Sequence, residues 1–108
     1  MTKGAVSRFN TLSAKLGIVP CKISRSGFSS ERVFEIVGED SSIKGVCNKQ
    51  YCLDAYRDLI SDDVPPVGVS IDGFVVVRVL SEEAGVVTIS LPSGDVIMIS
   101  GGGVAEIE

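Results

Sequence analysis

The stretch from Val67 to Ser100 constrains the fold of this chain most. Apolar residues recur there at every second position, and short turn-forming segments interrupt them. Val67, Val69 and Ile71 alternate with Gly68 and Ser70. Val75, Val77 and Val79 share one face, as do Val87, Ile89 and Leu91, and then Ile97 and Ile99. A period of two is the signature of half-buried strands. Asp72-Gly73 reads as a two-residue hairpin turn, Ser81–Gly85 as a five-residue loop and Pro92–Asp95 as a turn. Four strands joined in an antiparallel meander are predicted, each with one apolar face that the rest of the chain must cover.

The first two thirds supply the cover. Two more strands are predicted, over Ile18–Ser24 and Arg32–Gly38, with Pro20 pushing the start of the first to a sheet edge. Val6, Phe9, Leu12 and Leu16 recur at spacings of three and four, which predicts a short amphipathic helix over 3–16 ended by Gly17. Residues 49–60 read as a second helix. Asn48 would be its cap, and Tyr51, Cys52, Ala55, Tyr56, Leu59 and Ile60 its apolar stripe. A strand through Tyr51 and Leu53 is the competing reading. The expected fold is mainly β: a small antiparallel β-barrel or β-sandwich with a short N-terminal helix and a possible second helix. The expected division is an N-terminal helix over 1–17, a β domain over 18–100, and a Gly-rich acidic tail over 101–108. No internal repeat is evident.

Composition narrows the function. The chain has 108 residues, 44% of them apolar and only 6% aromatic, so its core must be aliphatic. A net charge of −4 argues against general nucleic-acid affinity. No apolar run reaches the length of a membrane span, and the first residues lack the apolar segment of a signal peptide. The expected location is therefore the cytoplasm. The three cysteines, Cys21, Cys47 and Cys52, form no CxxC pair, and an odd count suits buried thiols better than a disulfide framework. The chain has no His, so zinc would have at most three thiol ligands, and His-based nucleophilic sites cannot be built. No enzyme activity and no cofactor are expected. The Gly101-Gly102-Gly103 triplet lacks the Lys-Ser/Thr that a phosphate loop needs.

Charge is unevenly spread. Residues 1–30 hold five bases and no acid, while residues 64–108 hold six acids and one base. Either the basic third neutralises the acidic remainder, or the molecule has opposite faces suited to head-to-tail association. The loop from Ser24 to Arg32 carries Phe28 between Arg25 and Arg32. An exposed Phe28 there would be a protein-binding anchor; folding back into the core is its other fate. The two arginines could also hold a phosphate. Arg8, Phe9, Arg25, Phe28, Arg32, Glu39, Asp40, Asp62 and Asp63 are the candidate protein-contact residues.

In its order of pieces the chain resembles the small head–tail joining proteins of lambda-type tailed bacteriophages. The matching stretches are Val6 to Ile23, Arg32 to Asp40, and Val69 to Leu91 with its Asp72-Gly73 turn. A helix over 49–60 would depart from that pattern, since the family tends to have a strand there. The resemblance implies a virion assembly protein that docks on the head portal or connector, as a hexameric ring, and offers the tail its attachment surface. It implies residence in the host cytoplasm during assembly and then at the head–tail junction, with no membrane and no specific nucleic acid as partner. The alternative is a cytoplasmic small β-barrel adaptor that binds a protein or peptide.

Overall fold

The computed structural model describes residues 15–38 and 41–106. Its strands are β1 (Leu16–Arg25), β2 (Glu31–Val37), β3 (Ser42–Asn48), β4 (Cys52–Asp54), β5 (Ile71–Glu83), β6 (Val86–Ser90), β7 (Val96–Ser100) and β8 (Ala105–Glu106). All their pairings are antiparallel, in one curled sheet ordered β3-β2-β1-β5-β6-β7. The mainly β expectation holds, in the form of a half-barrel.

The long central pair is β1 with β5, in register from Leu16↔Arg78 to Ile23↔Ile71. Val19, Cys21 and Ile23 on β1 meet Val75 and Val77 on β5 in the buried core, while Pro20 and Lys22 point outward. Pro20 is tolerated for a definite reason. The Val79 N–H donates to the Lys15 carbonyl, which puts the β5-facing hydrogen bonds at odd positions of β1. Pro20 therefore turns its missing N–H to the other edge. That edge pairs with β8 at Gly17–Ile18 and with β2 at Lys22–Arg25, so Pro20 lies in the gap between them.

The fold contains an internal repeat that the sequence reading did not find. β1 to β4 and β5 to β8 follow one plan: a long strand, two shorter ones, a three-residue 3₁₀ turn and a short strand. The turns are Lys49–Tyr51 and Gly101–Gly103. Asn48 and Ser100 precede them with nearly the same backbone, φ −64 and ψ 141 against φ −62 and ψ 138. Lys49 N–H donates to Ser30 at 2.9 Å, and Gly101 N–H to Gly85 at 2.8 Å. The short strands are exchanged, β4 onto β5 and β8 onto β1. Each lands against a glycine. A Cβ on Gly73 would lie 2.3 Å from the Leu53 carbonyl oxygen, and one on Gly17 would lie 3.1 Å from that of Ala105. Few side chains match between the halves (Gly17 with Gly73, Val19 with Val75, Lys22 with Arg78), so the repeat leaves little trace in sequence.

Several expectations are corrected. Asp72-Gly73 is no hairpin turn: both residues sit inside β5, which runs unbroken from Ile71. Gly73 is there for the close approach of β4, and Asp72 pairs outward with Lys22 at 2.5 Å. The expected five-residue loop shrinks to Ala84-Gly85, with φ 53 and φ 81, the backbone of a tight hairpin. Residues 49–60 are not a helix. Asn48 does cap, accepting the Gln50 N–H at 3.0 Å, but it caps one 3₁₀ turn only. Of the supposed stripe only Cys52 and Ile60 are buried. The edge of β5 at Gly73–Val75 takes Cys52–Asp54 as a strand instead, and Arg57 at φ 70 breaks any helix beyond it. The competing strand reading through Leu53 is the one observed. Residues 101–106 are not a released tail, because β8 pairs with β1. Of the expected helix over 1–17, Leu16 and Gly17 are strand residues, and the part before Lys15 lies outside the described residues.

Candidate functional site

Arg25 ends β1 and Arg32 is the second residue of β2, and the register sets them directly opposite each other. Two like charges so placed repel. The pair persists because the segment 61–65 runs past both and offers backbone carbonyls. Arg32 is fully buried, at 0% exposure. Its Nε donates to Val64 O at 3.0 Å, Nη1 to Ser29 O at 2.8 Å and Glu31 O at 2.7 Å, and Nη2 to Asp62 O at 3.0 Å and Ser61 O at 3.4 Å. Arg25 donates to Pro65 O at 2.8 Å and Asp62 O at 2.5 Å. A buried guanidinium is costly unless its donors are met, and carbonyl dipoles meet them here. Burial, with the neighbouring Arg25 charge, draws Arg32 below the usual arginine value. Lys49 adds an ion pair to Asp62 from the 3₁₀ turn.

These bonds tie together the loop 26–30, the turn Lys49–Tyr51 and the segment 61–65, all at the end of the sheet where β1 stops and β2 and β5 start. The exposed residues on this end are held by local chemistry. Ser26 Oγ accepts the Phe28 N–H at 3.1 Å, and Glu31 N–H donates to Phe28 O at 3.1 Å. That compact turn holds Phe28 outward at 70% exposure. Val69 N–H closes a second turn onto Pro66 O at 3.0 Å, with Gly68 at φ 82. Val67 at its tip is 86% exposed. Val69 and Tyr51 are also exposed on this end.

The sequence-predicted contact residues are divided by this geometry. Phe28 is exposed, as an anchor requires, and Asp62 and Asp63 are exposed on the tied segment. Arg32 cannot contact a partner, because it is buried and its donors are spent on carbonyls. Arg25 is half-buried and similarly engaged, so the phosphate-holding reading of Ser24–Arg32 fails with it. The arginines act as positioning residues. Arg8, Phe9, Glu39 and Asp40 lie outside the described residues. Sequence reasoning missed Val67 and Val69, assigned to a strand, and Lys49, assigned to a helix. The Pro65-Pro66-Val67-Gly68 run was the available signal for a turn with an exposed apolar tip.

The three thiols lie in the core, in the first half of the fold. Cys47 Sγ and Cys52 Sγ are 3.7 Å apart. Among the described residues no group of three His, Cys, Asp or Glu side chains is arranged to hold a metal ion. What the arginine-held end offers is a pre-shaped apolar and acidic surface. No protein-family model, curated protein or solved structure matches the chain.

Proposed function

We propose that this chain is a docking module of a virion assembly, at the head–tail junction of a lambda-type phage, and that the arginine-held end makes the contact. The observation that carries this reading is the combination of exposed Phe28 and Val67 with loops held by seven hydrogen bonds from Arg25 and Arg32. Apolar anchors on stiff loops bind without a large ordering cost. Their rim carries Asp62 and Asp63, so the surface suits a partner with an apolar socket edged by basic side chains. The antiparallel pairs β1–β2 and β5–β6 fall in the stretches that carry the resemblance and support the placement at the portal or connector, with the Asp72-Gly73 turn as the exception.

The test is a tail-attachment assay. Purified protein added to DNA-filled, tailless heads is expected to let tails join. Phe28→Ser and Val67→Ser, with melting temperatures close to wild type, should each lower attachment about tenfold or more, the scale of one anchor residue. No gain in attachment with the wild-type protein would overturn the head–tail placement.

A second reading is a β-barrel adaptor for another protein or peptide. It is favoured by one departure from the phage pattern: Asp72-Gly73 lies within a strand and makes no hairpin turn. One stable non-virion partner, lost on Phe28→Ser, is its expected signature. Recovery of virion proteins alone would exclude it.

A further inference from the structure

We propose that Cys47 and Cys52 are an oxidation site, forming a reversible disulfide that closes the seam between β3 and β4 in the first half of the fold when the protein meets hydrogen peroxide.

The seam is a topological fact. β3 pairs with β2 and β4 pairs with β5, and no ladder among the described residues joins β3 to β4. Only the 3₁₀ turn Lys49–Tyr51 bridges them. Cys47 stands just before the cap Asn48, and Cys52 closes the turn at its far end, so the thiols face each other across the gap at 3.7 Å. The second half has the same seam between β7 and β8. There, Ile99 stands just before Ser100 and Val104 closes the turn. One seam is thus filled by hydrocarbon and the other by two sulfurs that a bond can join. Both thiols are buried, so a small oxidant suits them better than a bulky disulfide.

The surroundings favour the chemistry. The hydrogen bond with Cys47, and the charge of Arg32 as a smaller cause, draw the Cys52 thiol below its ordinary value against the opposing effect of burial. Its partner Cys47 is pushed up, first by that bond and then by burial. The Cys52 thiolate attacks one peroxide oxygen; the O–O bond breaks, hydroxide leaves and takes up a proton, and Cys52 becomes a sulfenic acid. The Cys47 sulfur then attacks the Cys52 sulfur. The S–S bond forms, the S–O bond breaks, and the hydroxyl departs as water with the Cys47 proton. Two thiols lose two electrons and two protons, and the peroxide leaves as two waters. Cys21, buried in the same core on β1, has no comparable bond to either sulfur and stays reduced.

The experiment treats the folded full-length chain with hydrogen peroxide. Free thiols are then blocked with N-ethylmaleimide in urea, and a tryptic digest is mapped. Lys49 lies between the two cysteines, so the digest separates them unless sulfur joins them. The expected result is loss of two of the three thiols, a linked pair of peptides carrying Cys47 and Cys52, and full return of the thiols with dithiothreitol. Cys21→Ala should still lose two thiols, and Cys47→Ser should yield no linked peptide. Oxidised wild type should also melt several degrees higher than reduced. Three thiols remaining, cross-links to Cys21, or oxidation only to acids that dithiothreitol does not reverse would each overturn the proposal. The wild-type map decides this even where a variant fails to fold.

Discussion

Arg32 is the residue on which the docking end depends. It spends all three of its nitrogens on carbonyls from Ser29, Glu31, Ser61, Asp62 and Val64. Arg32→Ala would strip those donors and leave a cavity, and a loss of about 3–5 kcal/mol is expected in urea unfolding. Lysine has one nitrogen and no fork, so Arg32→Lys should recover less than half of that. Cys21 gives a second prediction at this scale. Burial first, and then nearby Cys52, push its thiol from 9.0 up to about 12. The folded state thus holds the Cys21 proton after the unfolded chain has released it. Stability from this group is fully present below pH 9 and is lost as pH rises from 9 towards 12. Each pH unit in that window should cost about 1 kcal/mol. Urea midpoints between pH 7 and 11 should therefore fall more steeply for wild type than for Cys21→Ala.

Single elements carry their own strain and close approaches. β5 is long because it serves β1 on one edge and both β4 and β6 on the other. Gly73 is the point where β4 comes nearest, so Gly73→Ala should cost about 2–3 kcal/mol through overpacking against backbone. Gly27, with nothing within 4 Å of a new Cβ, should accept alanine with a change inside about 0.5 kcal/mol. The β5–β6 turn is improvable. Ala84 holds φ 53, which asparagine and glycine adopt more readily. Ala84→Asn is expected to stabilise by about 0.5–1 kcal/mol, measured as a rise in melting temperature.

At the scale of the whole molecule, the exchanged short strands tie two similar halves into one cooperative unit. β4 belongs to the first half by sequence and to the second by pairing, and β8 does the reverse. The halves also share the β1–β5 ladder, so neither can bury its apolar face alone. Fragments 1–68 and 69–108 should each lack a strand signal by circular dichroism, and mixing them should restore it. A folded fragment 1–68 would show that the halves are independent.

Much of the architecture was legible in the chain. Alternation in Ile18–Ser24, Val75–Val79, Val87–Leu91 and Val96–Ser100 placed strands correctly, because a period of two suits a half-buried sheet face. The same alternation in Val67–Ile71 misplaced one, since the chain turns there between Pro66 and Val69. The Pro92–Asp95 turn and the cap at Asn48 were legible for the same local reason. What failed was local chemistry overruled from a distance. Asp72-Gly73 has a turn's composition, yet Gly73 is needed where another strand's backbone passes. Residues 49–60 have helical spacing, yet an open edge of β5 claims Cys52–Asp54. Phe28 was singled out from its place in a polar loop, but its exposure rests on the Ser26 turn. Arg25 and Arg32 looked like contact residues, since no local pattern shows that a segment thirty residues on will bring carbonyls to them. The sequence by itself determined a β protein with an aliphatic core, through residue-to-residue periodicity. Only the tertiary structure decided which turn signals became turns, where the charges went and which sulfurs met, because each depends on a backbone that arrives from elsewhere in the chain.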